Sequence, residues 1–93
     1  MFVHISIHYP KPEYEQDLVA SMHRFAAAVA GAPGLLSANA LKDERSGRLV
    51  GLAIWESRPR WEAGVETMRK AVEADDFDLW EEREPDVFLL DAV

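Results

Sequence analysis

His4, Ser6 and His8 share one side of an alternating stretch, FVHISIH, while Val3, Ile5 and Ile7 share the other. An imidazole gains and loses a proton near neutral pH, so either histidine has the chemistry of a general acid or base. They are not a metal pair. Four residues along a strand span about 13 Å, whereas both ring nitrogens would have to lie within about 2 Å of one ion. A strand histidine is also a common hydrogen-bonded structural residue, and that reading stands beside the catalytic one. His8 is the stronger base candidate, because it lies at the strand's end, where ligand sites open. His23, next to Met22 on a helical stretch, is expected to face solvent.

A second concentration of useful residues is LVGLAIWES, at Leu49–Ser57. Gly51, Ala53 and Trp55 fall on one face of this apolar run. The two small residues either leave volume for a ligand or simply admit large helix residues such as Phe25. Trp55 either stacks on a flat ligand or fills the core. Asn39, on the preceding strand, would add a polar group if its side chain points the same way. Arg58 and Arg60 could meet an anion at a pocket mouth or form a solvated helix start. There is no cysteine, phosphate-cradling glycine loop, nucleotide fingerprint or metal-ligand cluster, so neither a metal nor a cofactor is expected.

The elements that must hold these residues follow from hydrophobic spacing. Phe2–Tyr9 has a period of two, which predicts a strand, and Pro10 and Pro12 end it. From Glu13 to Ala30, Tyr14, Leu18, Met22, Phe25 and Val29 recur every three or four residues, which predicts a helix closed by Gly31-Ala32-Pro33-Gly34. Leu35–Lys42, a polar turn at 43–47 and Leu49–Trp55 form a β-hairpin. Ser57 is placed to cap a second helix, with Pro59 in its first turn and Trp61, Val65, Met68 and Val72 as its buried stripe. Residues 76–83 have room for a short helix with Phe77 and Trp80 inward, and Asp86–Val93 is the last strand.

The order βαββαβ in one domain, residues 1–93, gives an α+β ferredoxin-like fold: two helices on one face of a four-stranded antiparallel sheet. Leu49–Trp55 and Val87–Leu90 are apolar on both faces, yet the helices cover only one. A homodimer packed sheet to sheet is therefore expected.

Charge narrows the partners. The chain has 10 basic and 17 acidic side chains, for a net charge of −7. Phosphate binding needs a clustered basic face, so nucleic acid is not an expected partner, nor is an anionic membrane. The acidic run from Asp75 to Asp86 reads as a solvated surface. The N-terminal MFVHISIHYPKPE lacks the pattern of a signal peptide, and no run reaches the ~18–20 apolar residues of a membrane span. A cytoplasmic location is expected.

At Trp55-Glu56-Ser57, a strand ending in Trp-Glu-Ser before a helix, the chain resembles the antibiotic biosynthesis monooxygenase domain of the dimeric α+β barrel superfamily. The hairpin Gly34–Trp55, with its PGLL opening, fits the same pattern. The resemblance implies a pocket between sheet and helices, walled by Tyr14, Met22, Phe25, Trp61, Val65 and Met68. It implies cofactor-independent oxygenation of a small aromatic quinol or polyphenol, with Trp55 matching the family's pocket tryptophan. Joined to the reading of the residues above, this makes His8 the expected base, Trp55 the stacking wall, and His4, Ser6, Asn39 and Trp61 the expected substrate-binding residues. The match is incomplete. The family's polyketide oxygenases carry an asparagine where this chain has Gly51 and a helix tyrosine whose nearest counterpart is Trp61. Haem-degrading relatives need a histidine in the second helix, and none follows His23. A non-oxidative isomerase-type reaction, or a non-catalytic ligand-binding or stress-associated dimer, are the alternatives.

Overall fold

A computed structural model describes all 93 residues, Met1–Val93. Strand β1 (Phe2–His8) leads through a 3₁₀ turn at Pro12–Tyr14 into helix α1 (Glu15–Val29). Strands β2 (Leu35–Lys42) and β3 (Leu49–Trp55) form the hairpin. Helix α2 (Arg58–Val72), the short α3 (Phe77–Trp80) and strand β4 (Asp86–Asp91) complete the chain. The strands lie in the order β2-β3-β1-β4, and every neighbouring pair is antiparallel. This is the expected ferredoxin-like arrangement.

The ends of the elements follow from local chemistry. Pro10 and Pro12 cannot donate to a ladder, so β1 stops at His8 and the chain turns into α1. Two glycines with positive φ, Gly31 (+78°) and Gly34 (+87°), reverse the chain after α1. Gly34 is required twice over, since a Cβ there would lie 2.5 Å from Cγ of Arg60. The Ser57 hydroxyl accepts the Arg60 amide at 3.3 Å and caps α2, with Pro59 in the first turn.

Register decides which side chains meet. His4 pairs with Ala53, Ser6 with Gly51 and His8 with Leu49. Residues directly opposite each other share a face, so the two histidines and Ser6 lie with the small residues of β3 on the helix side. That side is packed in two clusters. Phe2, Val29, Ala53, Trp55 and Met68 form one, and Leu18, Met22 and Leu49 the other. The opposite side, with Ile5, Leu52, Ile54, Phe88 and Leu90, is covered by no element of the chain. Phe88 and Leu90 are 46% and 45% exposed.

The stretch after α2 is tied back to the end of β1. The Lys11 amide donates to the Trp80 carbonyl at 2.9 Å, and the Glu82 amide to the Tyr9 carbonyl at 2.8 Å. Pro10 and Glu81 form an isolated antiparallel bridge. No helix is long and apolar enough to cross a membrane.

Replacing Ser57 with alanine leaves the Arg60 amide without its acceptor. The variant is expected to lose about 1 kcal/mol of unfolding free energy, read from urea denaturation as a lower midpoint at unchanged slope.

Candidate functional site

Between the sheet and the helices lies a cavity of about 160 Å³. His4, Ser6, His8, Gly51 and Ala53 form its floor, and Met22, Phe25, Ala26, Val72 and Phe77 its walls and rim. Ala53 belongs to one core cluster and Met22 to the other, so the space is the gap between them. An apolar void of ~150 Å³ takes up benzene. The cavity is on the scale of a single aromatic ring.

At one end stands a chain of three polar side chains. His8 Nδ1 lies 3.1 Å from Oε2 of Glu81, which is only 5% exposed, and Oε1 of the same carboxylate accepts the Tyr9 amide at 2.9 Å. A carboxylate only accepts, so Nδ1 carries a proton toward Glu81, and the ring in its neutral form has its lone pair on Nε2. The Ser6 hydroxyl, 3.1 Å from Nε2, donates to that lone pair. Phe77 stacks on the His8 ring at 6.2 Å and 27° and fixes its plane. Gly51 makes the arrangement possible, since a Cβ there would come within 2.7 Å of Ser6 Oγ.

The second histidine is held in the opposite sense. The indole N–H of Trp61 donates to His4 Nδ1 at 3.2 Å. An indole nitrogen is a donor only, so Nδ1 must be bare and the ring proton sits on Nε2. Burial pushes the His4 pKa below its ordinary 6.5, and a protonated ring would also forfeit the Trp61 bond. His4 is thus a neutral ring whose free N–H belongs to the nitrogen that Trp61 does not hold. His8 offers an acceptor through Ser6, and His4 a donor.

The remaining expectations meet a mixed arrangement. Trp55 does not line the cavity: it has no exposed surface and packs with Phe2, Val29 and Met68 where the helices close on the sheet. Its indole nitrogen has no hydrogen-bond partner. Trp61 also stands outside, reaching the cavity only through His4. Asn39 borders the cavity floor, but it pairs with Leu52 and is exposed, so its side chain belongs to the outer face. Of the expected walls, Met22 and Phe25 line the space, whereas Tyr14, Val65 and Met68 do not. Arg58 pairs with Asp91 at 2.6 Å and lies over the Phe2 ring, away from the cavity. His23 is exposed.

The acidic stretch is corrected most. Within what reads as a solvated run, Glu81 is buried against His8, and Asp75 accepts from Ser21 Oγ at 2.5 Å and Arg24 at 2.6 Å. The one signal in the sequence is position, since Glu81 directly follows the inward pair Phe77 and Trp80. No group of three histidine, aspartate or glutamate side chains is arranged to hold a metal ion.

A split β-α-β sheet with two helices over one face, here with a ring-sized cavity beneath them, defines the ferredoxin-like class of small α+β domains. Within that class the chain belongs to the antibiotic biosynthesis monooxygenase family, whose profile matches residues 1–74. Solved structures agree in fold. An antibiotic biosynthesis monooxygenase is similar with a TM-score of 0.79 at 20% identity, covering 100% of this chain and 99% of that one. Rv0793 from Mycobacterium tuberculosis gives 0.82 at 18%, covering 99% and 94%. SnoaB, a cofactor-independent oxygenase from Streptomyces nogalater, gives 0.78 at 14%, covering 98% and 91%. No curated protein matches the sequence.

Two measurements check the state of His4. By NMR titration its pKa should lie below 6.5 and move upward in Trp61→Phe, which removes the donor that favours the neutral ring. Because the folded pKa is lowered, the unfolded chain takes up this proton first as pH falls. Stability is therefore lost as pH drops through about 6.5 toward the lower folded value. His4→Gln should flatten that part of the profile.

Proposed function

We propose that this protein is a cofactor-independent monooxygenase of single-ring quinols or polyphenols, acting in the sheet–helix cavity. The observation that carries the reading is the Glu81–His8–Ser6 chain opening into an apolar space of one-ring size. The family assignment supports the reaction class. SnoaB, similar in fold, is a cofactor-independent oxygenase.

In this mechanism the phenol's proton passes through the Ser6 hydroxyl to His8 Nε2, and Glu81 faces the positive charge that forms on the ring. His4 Nε2–H stabilises the phenolate oxygen. The dry walls, Met22, Phe25 and Phe77, strip water from the anion and leave it electron-rich. The anion reduces oxygen, a carbon–oxygen bond forms at the ring, and the resulting peroxide loses water to leave a new carbonyl. One oxygen atom enters the product and the other leaves as water, all electrons coming from the substrate. The Ser6 hydroxyl fills the space over Gly51, where the polyketide oxygenases carry asparagine.

Oxygen-electrode measurements with substituted hydroquinones test the reading. Uptake should fall about 100-fold or more in His8→Gln, the usual worth of a general base. No uptake by the native protein across the panel would sink it. Turnover that continues without oxygen would instead assign an isomerase-type reaction, and thermal stabilisation without turnover a binding protein.

We further infer that the uncovered sheet face is closed by a second copy of the chain. Its apolar surface, Ile5, Leu52, Ile54, Phe88 and Leu90 among it, supports this. Sedimentation at micromolar concentration should give a dimer, and Leu52→Glu should shift it to a single copy. A folded native monomer would overturn the inference.

A further inference from the structure

We propose that Ser6 is a nucleophile, and that the protein hydrolyses small single-ring aryl esters through an acyl-Ser6 intermediate. This activity goes beyond the oxygenase reading and shares only its cavity and its base.

The order of atoms carries the inference. Ser6 Oγ meets His8 Nε2 at 3.1 Å, and His8 Nδ1 meets the buried Glu81 carboxylate at 3.1 Å. A serine nucleophile needs this sequence of hydroxyl, unprotonated Nε2, Nδ1–H and carboxylate, recognised by geometry and role rather than by position in the chain. The carboxylate is itself fixed, because its second oxygen holds the Tyr9 amide. Ser6 makes no other side-chain hydrogen bond, borders the cavity, and faces a glycine across the sheet. His4, two residues along the same strand face, flanks the hydroxyl on the side away from His8. Its ring N–H is the donor available to a carbonyl oxygen turned that way.

The reaction balances without an oxidant. Ser6 Oγ bonds to the ester carbonyl carbon while its proton goes to His8 Nε2 and the carbonyl electron pair moves to oxygen, opposite His4. Collapse breaks the carbon–oxygen bond to the aryl group, which leaves with the proton from His8. Water then gives His8 a proton and attacks the acyl carbon. The carboxylic acid departs, and the proton returns to Ser6. The net change is ester plus water to acid plus phenol. The cavity volume restricts the ester to one ring and a short acyl group.

The test is acylation of the intact protein by p-nitrophenyl acetate under argon. A burst of nitrophenolate approaching one per chain is expected, with the acetyl group mapped to Ser6 by peptide mass spectrometry. Ser6→Ala should lose burst and adduct together. His8→Gln should slow acylation about 100-fold or more, and Ser6→Cys should again form an acyl-enzyme. The native adduct map does not depend on any variant folding. Acetyl found only on lysines, the N-terminus or a histidine would overturn the proposal, as would a burst that survives in Ser6→Ala. Working without oxygen separates the two activities. Absence of oxygen uptake leaves the acyl-Ser6 result standing, and absence of acyl-Ser6 leaves oxygen uptake standing.

Discussion

A carboxylate taken out of water must be met by hydrogen-bond donors, and Glu81 is met on both oxygens. One donor is the first backbone N–H past the end of β1, and the other is the imidazole one residue earlier. Satisfying this group closes the fold. The segment carrying Glu81 is drawn onto the end of β1, the Lys11–Trp80 and Glu82–Tyr9 backbone bonds form alongside it, and Phe77 comes to rest on the His8 ring. Glu81 adds a buried side-chain tie to the backbone bonds and the Ser21–Asp75 bond that also hold the stretch between α2 and β4 against the cavity. The interaction that orients His8 is also the one that puts a wall on the site.

The two histidines show how identical side chains acquire opposite chemistry. They stand four residues apart on one face of one strand, with the same backbone geometry. His8 is given a carboxylate at Nδ1 and therefore presents an acceptor at Nε2. His4 is given an indole N–H at Nδ1 and therefore presents a donor. Neither partner is near in sequence, since Glu81 lies on the far side of α3 and Trp61 in α2. The tautomers are set by the tertiary fold.

That explains what could be read from the sequence. Alternation and helical spacing carried the element order, the face on which His4, Ser6 and His8 lie, and the smallness of Gly51 and Ala53, because all of these are periodic and local. Tautomer and burial are pairwise and distant, so no period encodes them. Glu81 was hidden among nine acidic residues between Glu73 and Asp91, and nothing in composition separates the one that is buried. Asn39 was undecidable until the hairpin register was known, because a shift of one residue moves a side chain to the other face. Trp55 had two honest fates, and the packing of Phe2, Val29 and Met68 around it chose the core.

Only ten of the 93 residues are buried, and a domain this thin gives up core volume to keep a ring-sized space open. Filling the cavity would be the simpler route to stability: a larger residue at Gly51 would pack against Met22. It would also collide with Ser6 Oγ and break its contact with His8. The chain instead leaves the space unfilled beside the histidines and leaves bulky apolar residues such as Phe88 and Leu90 exposed on the outer face. An open cavity on the helix side and exposure on the other are then two consequences of one distribution of side-chain volume across the sheet. A second copy against the outer face would recover the hydrophobic burial that the inner face gives up for its cavity.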